Sequence, residues 1–314
     1  MFTEMNSSMK ILILGAGGIG GYFGAHLMKA GADITYLVRQ KRKALIDAQG
    51  LRIETPREAF AVQPRTLIAE QIQPDYDLII LASKAYDLDD ALYSLRGALG
   101  RGTVLPFLNG LDHLGKLDAL LGKERVMGGV AHIAATITPE GAIRQLTEMH
   151  RLTVGARNPS HQKLASEFIE LCKQASFDSV FAEDIEQVLW DKWVFLATLA
   201  GMTTLCRGSV GDIVATTYGK ATTVHMYEEC CRVAHASGHS ISTGVSAKAL
   251  EMLTASVSTL TASMLRDLLD GQPTEHDHIL GAMIRRGQGL ACPTPLLEVA
   301  FTNLAIQAGR MASN

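Results

Sequence analysis

The apolar residues of the chain first come in short unbroken runs. Lys10–Leu14 (KILIL), Asp33–Val38 (DITYLV), Asp77–Ser83 (DLIILAS) and Thr103–Asn109 (TVLPFLN) are near-continuous apolar stretches with little alternation. Parallel strands covered on both faces need that pattern, because neither face meets water. Segments of helical spacing, such as GGIGGYFGAHLMKAG, lie between them. Strand–helix–strand alternation predicts an α/β domain with a doubly wound sheet. A later pair of runs, AIRQLTEM and RLTVGA, predicts an antiparallel hairpin that extends one edge of this sheet.

Near Ala182 to Asp184 the pattern changes. Strand-like runs end and helical periodicity takes over. EDIEQVLWDKWVFLATLAG carries apolar residues at Ile185, Val188, Leu189, Phe195, Leu196 and Leu199, one stripe of a helix. Further helices are predicted over Thr222–Ala236, Ser246–Leu269 and Glu275–Arg286. The expected organisation is an α/β domain over residues 10–183 and an all-helical domain over 184–314. Residues 1–9 are expected to form a disordered extension.

Composition narrows the classes of function. The 314 residues carry a formal net charge of −3, with 47% hydrophobic and 19% charged residues. That balance gives no reason to expect nucleic acid or an anionic membrane as partner. The longest apolar stretch, VLWDKWVFLATLAGM, is broken by Asp191 and Lys192, so no transmembrane span is expected. The leader MFTEMNSSMK lacks the basic-then-apolar design of a signal peptide. Five cysteines without a CxxC spacing (Cys172, Cys206, Cys230, Cys231, Cys292) fit reduced thiols in a cytoplasmic protein.

The first strand runs into Gly15-Ala16-Gly17-Gly18-Ile19-Gly20, a GxGxxG motif that also opens a helix. Gly15 permits a tight turn, Gly17 lets backbone approach a pyrophosphate, and Gly20 lets helix and strand pack closely. The helix N-terminus then offers N–H groups and positive partial charge to phosphates. In this context the motif predicts dinucleotide binding. The end of the second strand selects the dinucleotide. An NAD-type site carries Asp or Glu there, whereas this chain has Arg39, followed by Lys41, Arg42 and Lys43. An arginine grips a 2′-phosphate that a carboxylate would repel, so NADP is the expected cofactor. The competing reading is a solvated charge run in a loop.

In the helical half, Lys192 falls on or beside a buried stripe. A lysine there either snorkels to water or faces a cleft as a proton donor, its acidity raised by desolvation. PTEHD reads as a helix start, with Thr274 as cap and Asp277 in the capping-box position. Glu275, Ile279 and Met283 are four apart, which sets Glu275 on an apolar face. His276 and His278 point to different faces and predict no metal site. Cys230 and Cys231 are awkwardly placed for a mutual disulfide, and GVSAK lacks the last glycine of a hydrolase elbow.

These pieces together resemble the ketopantoate reductase (2-dehydropantoate 2-reductase) family over nearly the whole chain from Lys10. The resemblance rests on ILILGAGGIG, Arg39, LASKAYD, FLNGLD, LWDKW, SMLRDLLDGQPTEHDHILG and ACPTP. It implies an N-terminal Rossmann-type doubly wound sheet and an all-helical C-terminal domain with a cleft between them. It further implies reduction of a small-molecule 2-keto acid by NADPH in pantothenate biosynthesis, with a homodimer as the candidate assembly. Carried over, Gly15, Ala16, Gly17, Gly18, Ile19 and Gly20 hold the pyrophosphate and Arg39 the 2′-phosphate. Lys84, Asn109 and Ala134 line the cofactor. Lys192 matches the proton donor, Ser263 binds the substrate carboxylate, and Glu275 contacts the substrate hydroxyl. Asn109 also borders the substrate.

The chain departs from the family pattern where pantoate-forming members carry asparagines. Leu196, Ala200, Val210 and Leu260 stand at those positions. Amides that would bond the ketopantoate hydroxyl and carboxylate are thus replaced by apolar groups. This leaves two alternatives to a ketopantoate reductase: a relative acting on a more apolar keto compound, and a non-catalytic NADP-binding sensor. Retention of Lys192, Ser263 and Glu275 argues against the sensor.

Overall fold

A computed structural model describes residues 9–312, so all but Met9 of the expected N-terminal extension lies outside the described residues. The chain forms two compact units. One comprises the chain up to Leu108 together with His113–Glu186; the other comprises Asn109–Asp112 and Gln187 onwards.

The N-terminal unit is built on a five-stranded parallel sheet. Its strands are β1 (Lys10–Leu14), β2 (Asp33–Leu37), β5 (Arg65–Leu67), β6 (Leu78–Leu81) and β7 (Thr103–Pro106), in the order β5-β2-β1-β6-β7. In β1, β2 and β6 nearly every residue is buried, which is why they read as unbroken apolar runs. Strand β1 lies at the centre, with Leu12 opposite Thr35 on one side and Ile79 on the other. The strand order reverses between β1 and β6: β2 and β5 are added on one side of β1, and β6 and β7 on the other. This topological switch point is where doubly wound sheets bind ligands. Helices α1 (Gly20–Lys29), α2 (Gln40–Gln49), α3 (Leu88–Leu95), α4 (Asp112–Leu121) and α5 (Gln162–Cys172) complete the α/β pattern.

A second sheet was not anticipated. It contains β3 (Leu51–Glu54), β4 (Ala59–Val62), β8 (Gly128–Ile137), β9 (Ile143–Gly155) and β10 (Asp178–Phe181). The expected hairpin is corrected here. AIRQLTEM and RLTVGA do not pair with each other: both lie along β9 and pair with β8. The register shifts between Ile133/His150 and Ala135/Gln145, leaving Leu146–Met149 as a bulge opposite Ala134. Tyr22 of α1 holds both sides of the bulge: it donates to Gln145 Oε1 at 2.8 Å and shares a hydrogen bond with His150 Nδ1 at 2.7 Å.

The C-terminal unit is helical. Helix α6 (Ile185–Cys206) begins in the first unit and runs through the second, where Trp193, Val194, Ala197 and Ala200 are buried. Around it stand α7 (Val210–Val214), α8 (Gly219–Ala236), α9 (Thr243–Leu253), α10 (Ser263–Leu269), α11 (Ala282–Gly289) and α12 (Pro295–Ala312). The helix expected over Ser246–Leu269 is two helices, α9 and α10. The Ser/Thr-rich link between them gives its carbonyls to α7: Val210 N donates to Leu260 O at 3.0 Å and Gly211 N to Ser258 O at 2.9 Å. The segment expected as a helix from Glu275 opens with a π-helical turn, Asp277–Gly281, that leads into α11. Thr274 does not cap it; its hydroxyl bonds His276 Nδ1 at 2.8 Å, and Asp277 pairs with Arg285 instead.

Candidate active site

The glycine loop has the shape its spacing implies. Gly15 adopts φ +101°, where an L side chain is strained, and its N–H donates to Leu37 O at 3.1 Å, tying the turn to β2. A Cβ on Gly20 would collide with the Gly15 carbonyl and come within 2.9 Å of Ile13, so the helix sits hard against β1. A Cβ on Gly17 would meet nothing within 4 Å, leaving open space in front of the loop. No acidic residue stands in the first turn of α1. Open backbone at a helix N-terminus, without a carboxylate to repel an anion, fits a dinucleotide pyrophosphate.

The basic run after β2 splits into separate roles. Arg39 occupies the N-cap position of α2, with its side chain 73% exposed. Its Nη2 donates to Asp87 Oδ1 at 2.7 Å and lies 3.8 Å from Asp90 Oδ2. Arg42 turns inward instead and donates to Gly141 O at 2.7 Å and to Ala16 O at 3.0 Å, holding the glycine loop from behind. Lys43 pairs with Asp47 one turn along α2. Lys84 precedes the turn Ala85–Asp87 and its carbonyl accepts from Asp87 N at 3.0 Å. Ala134 is half-buried in β8 at the register shift.

A second group assembles in the C-terminal unit, to which the Asn109–Asp112 segment also belongs. Lys192 Nζ donates to Asn109 Oδ1 at 3.0 Å. Glu275 is 6% exposed, and its carbonyl accepts from Ile279 N at 3.0 Å, which fixes it at the start of the π-turn. Burial pulls the Lys192 pKa down to about 8, with the Glu275 carboxylate opposing that fall. Trp193, the next residue of α6, donates from Nε1 to Ile279 O at 3.0 Å, so helix and π-turn are locked beside the lysine. Ser263 opens α10, and the preceding Ala262 N–H donates to Thr203 Oγ1 of α6 at 3.4 Å.

The sequence weighed His278 only as a metal ligand, and its place beside Asn109 was missed. Its ring lies against Gly110, where an added Cβ would come 3.1 Å from Cδ2, and it bonds the Asn109 backbone. Gly110 has φ +76°, so the Asn-Gly turn that presents Asn109 depends on a residue free to adopt the left-handed region. An Asn-Gly pair following an apolar run was the available signal. Of the four apolar replacements, Leu196 and Leu260 are half-buried, whereas Ala200 and Val210 lie in the core at 0% and 3% exposure.

Family models decide the relationship. "Ketopantoate reductase PanE/ApbA" matches residues 11–159, and its C-terminal counterpart matches residues 184–307. The chain belongs to the ketopantoate reductase family. "Uncharacterized oxidoreductase YkpB" of Bacillus subtilis is 33% identical, over 94% of this chain and 98% of that protein. Among solved structures, a PanE/ApbA family ketopantoate reductase from Ralstonia eutropha JMP134 superposes with a TM-score of 0.87 at 25% identity, covering 97% of this chain and 100% of the other. A D-mandelate dehydrogenase solved with NADH and anilino(oxo)acetate shares the fold, with a TM-score of 0.88 at 20% identity and 97% and 100% coverage. Membership makes this an oxidoreductase of a keto-acid reductase family, with a Rossmann-type N-terminal domain. Among the described residues no helix is long and apolar enough to cross a membrane.

Proposed function

We propose that this protein reduces a 2-keto acid to the 2-hydroxy acid with NADPH, and that Lys192 supplies the proton. The observation that carries the reading is the hydrogen bond from Lys192 Nζ to Asn109 Oδ1, made by a lysine whose pKa is about 8. A general acid works best with a pKa near the working pH, and desolvation has brought this one there. A bound dihydronicotinamide would supply the hydride to the keto carbon. Lys192 then meets the negative charge that develops on the keto oxygen and transfers a proton to it. Glu275 offsets the cost of burying the ammonium and accepts a hydrogen bond from the new hydroxyl. Asn109 fixes the direction of Nζ. Ser263 receives the substrate carboxylate.

Gly15 to Gly20 would hold the pyrophosphate. Lys84 and Ala134 would flank the cofactor, and Arg39 would face the 2′-phosphate. The preference for NADPH rests on an arginine at the end of β2, where a carboxylate would select NAD.

Leu196 favours a second reading of the substrate. It lies one helical turn beyond Lys192 and is half-buried, an apolar surface where pantoate-forming members present an amide. A 2-keto acid with an alkyl or aryl tail fits such a wall better than one carrying a hydroxymethyl group. NADPH oxidation by the purified protein, followed against a panel of 2-keto acids that includes ketopantoate, tests both readings. Turnover of at least one is expected; no turnover of any, with cofactor demonstrably bound, would count against reductase chemistry.

A further inference from the structure

We infer that Asp87 is a cofactor-specificity residue, acting through Arg39 to narrow the gap between NADPH and NADH. The inference rests on the proposed placement of the cofactor ribose at the end of β2. Arg39 pairs across to Asp87 and Asp90 beyond β6, whereas Arg42 is spent on Ala16 and Gly141, and Lys43 on Asp47 and Thr66. Arg39 itself is already matched by carboxylates, Asp87 at 2.7 Å and Asp90 at 3.8 Å.

This pairing has opposite consequences for the two cofactors. A 2′-phosphate reaching Arg39 must compete with Asp87 for the same guanidinium, and it brings about two negative charges beside that carboxylate. A free 2′-hydroxyl meets no such repulsion and can donate to the Asp87 carboxylate, as it does to the acidic residue of an NAD-type site. Asp87 is anchored for this role. It closes the turn that starts at Lys84, where its N–H bonds the Lys84 carbonyl, and only 32% of its side chain is exposed, against 73% for Arg39. The arginine is therefore the mobile member of the pair, and the carboxylate stays where the ribose would arrive.

The test is calorimetric titration of the full chain with NADPH and with NADH, for the unmodified protein, Asp87→Asn and Asp90→Asn. Removing one unit charge several ångströms from a doubly charged phosphate, in surroundings close to water, changes affinity about tenfold at low salt. Asp87→Asn is expected to raise the ratio of NADPH to NADH affinity about tenfold, with unchanged melting temperature, and Asp90→Asn to raise it less. A larger effect of Asp90→Asn, or a ratio that stays within twofold of the unmodified protein in Asp87→Asn, would overturn the assignment while leaving the proposed function standing. Failure of the unmodified protein to bind either nucleotide would overturn both.

Discussion

Lys192 and Asn109 stand 83 positions apart in sequence, yet the lysine ammonium donates to the asparagine amide oxygen at 3.0 Å within the C-terminal unit. A bare lysine carries a freely rotating charge. A lysine whose ammonium donates to a fixed acceptor has a direction. Loss of a positioned general acid lowers kcat by roughly 10²–10⁴. We expect that range for Lys192→Ala with the best 2-keto acid. Asn109→Ala removes one hydrogen bond to a charged group and should cost about 10- to 100-fold in kcat. Steady-state kinetics on both variants check this. Near-normal turnover by Lys192→Ala would show that the lysine merely fills space.

The depressed lysine pKa sets a pH dependence. The reduction consumes the protonated form, so kcat/KM should be flat below about pH 8 and fall about tenfold per unit above it. Glu275 opposes the depression, since its charge favours the ammonium. Glu275→Gln should therefore move the break to a lower pH as well as reducing turnover. A pH–rate profile of the variant with its break unmoved, or moved upward, would mean that the carboxylate does not act on the lysine.

Four of the five strands of the first sheet were legible because burial on both faces writes itself as a continuous apolar run; the edge strand β5 (RTL), three residues with Arg65 exposed, was not. Nor was the second sheet. Half of strand β8 (GGVAHIAATI) is Gly or Ala, and β4 and β10 alternate exposed and half-buried positions over four residues each, too short to declare a period. The link between α9 and α10 carried enough apolar residues to imitate a helix, because nothing local reveals that Ser258 and Leu260 give their carbonyls to α7. Arg42 shows a similar limit at the site. Its charge and its neighbours suggested solvent or phosphate, and only the fold brings the Ala16 and Gly141 carbonyls within its reach. Glu275 was legible from its four-residue spacing with Ile279 and Met283, and all three are buried although a π-turn intervenes.

A buried histidine in α1 makes the N-terminal unit acid-sensitive. His26 is 3% exposed, its two ring nitrogens have no hydrogen-bond partner among the described residues, and its ring packs within 5.0 Å of those of Tyr22 and Phe60. Burial and the nearby His150 pull its pKa down to about 4, against an ordinary 6.5, while Glu58 opposes them. Between those values the unfolded chain binds a proton that the folded one refuses, so stability falls as pH drops from 6.5 to about 4 and levels off below. The full shift corresponds to about 3 kcal/mol. His26→Leu should lose less melting temperature than the unmodified protein between pH 7 and pH 4.5. His150, also depressed by burial, leaves the variant a residual slope of the same sign. Equal losses in the two proteins would remove His26 from the account.

The apolar replacements at the proposed substrate side differ in what they allow. Leu196 is half-buried, four residues beyond Lys192, so an amide introduced there can reach a bound molecule. Ala200, a further turn along α6, is 0% exposed, and its carbonyl accepts the Thr204 hydroxyl at 2.6 Å. An asparagine forced into that core must bury an amide without an evident partner, at a cost of about 1–3 kcal/mol. Leu196→Asn should therefore fold normally and raise kcat/KM for ketopantoate about tenfold, one buried hydrogen bond's worth, while lowering it for alkyl or aryl 2-keto acids. Ala200→Asn should lower the melting temperature, with a smaller kinetic gain. Competition between ketopantoate and an aryl 2-keto acid, run on the unmodified enzyme and on Leu196→Asn, separates the possibilities. If the unmodified enzyme already prefers ketopantoate and Leu196→Asn does not shift the ratio, the apolar wall does not face the substrate.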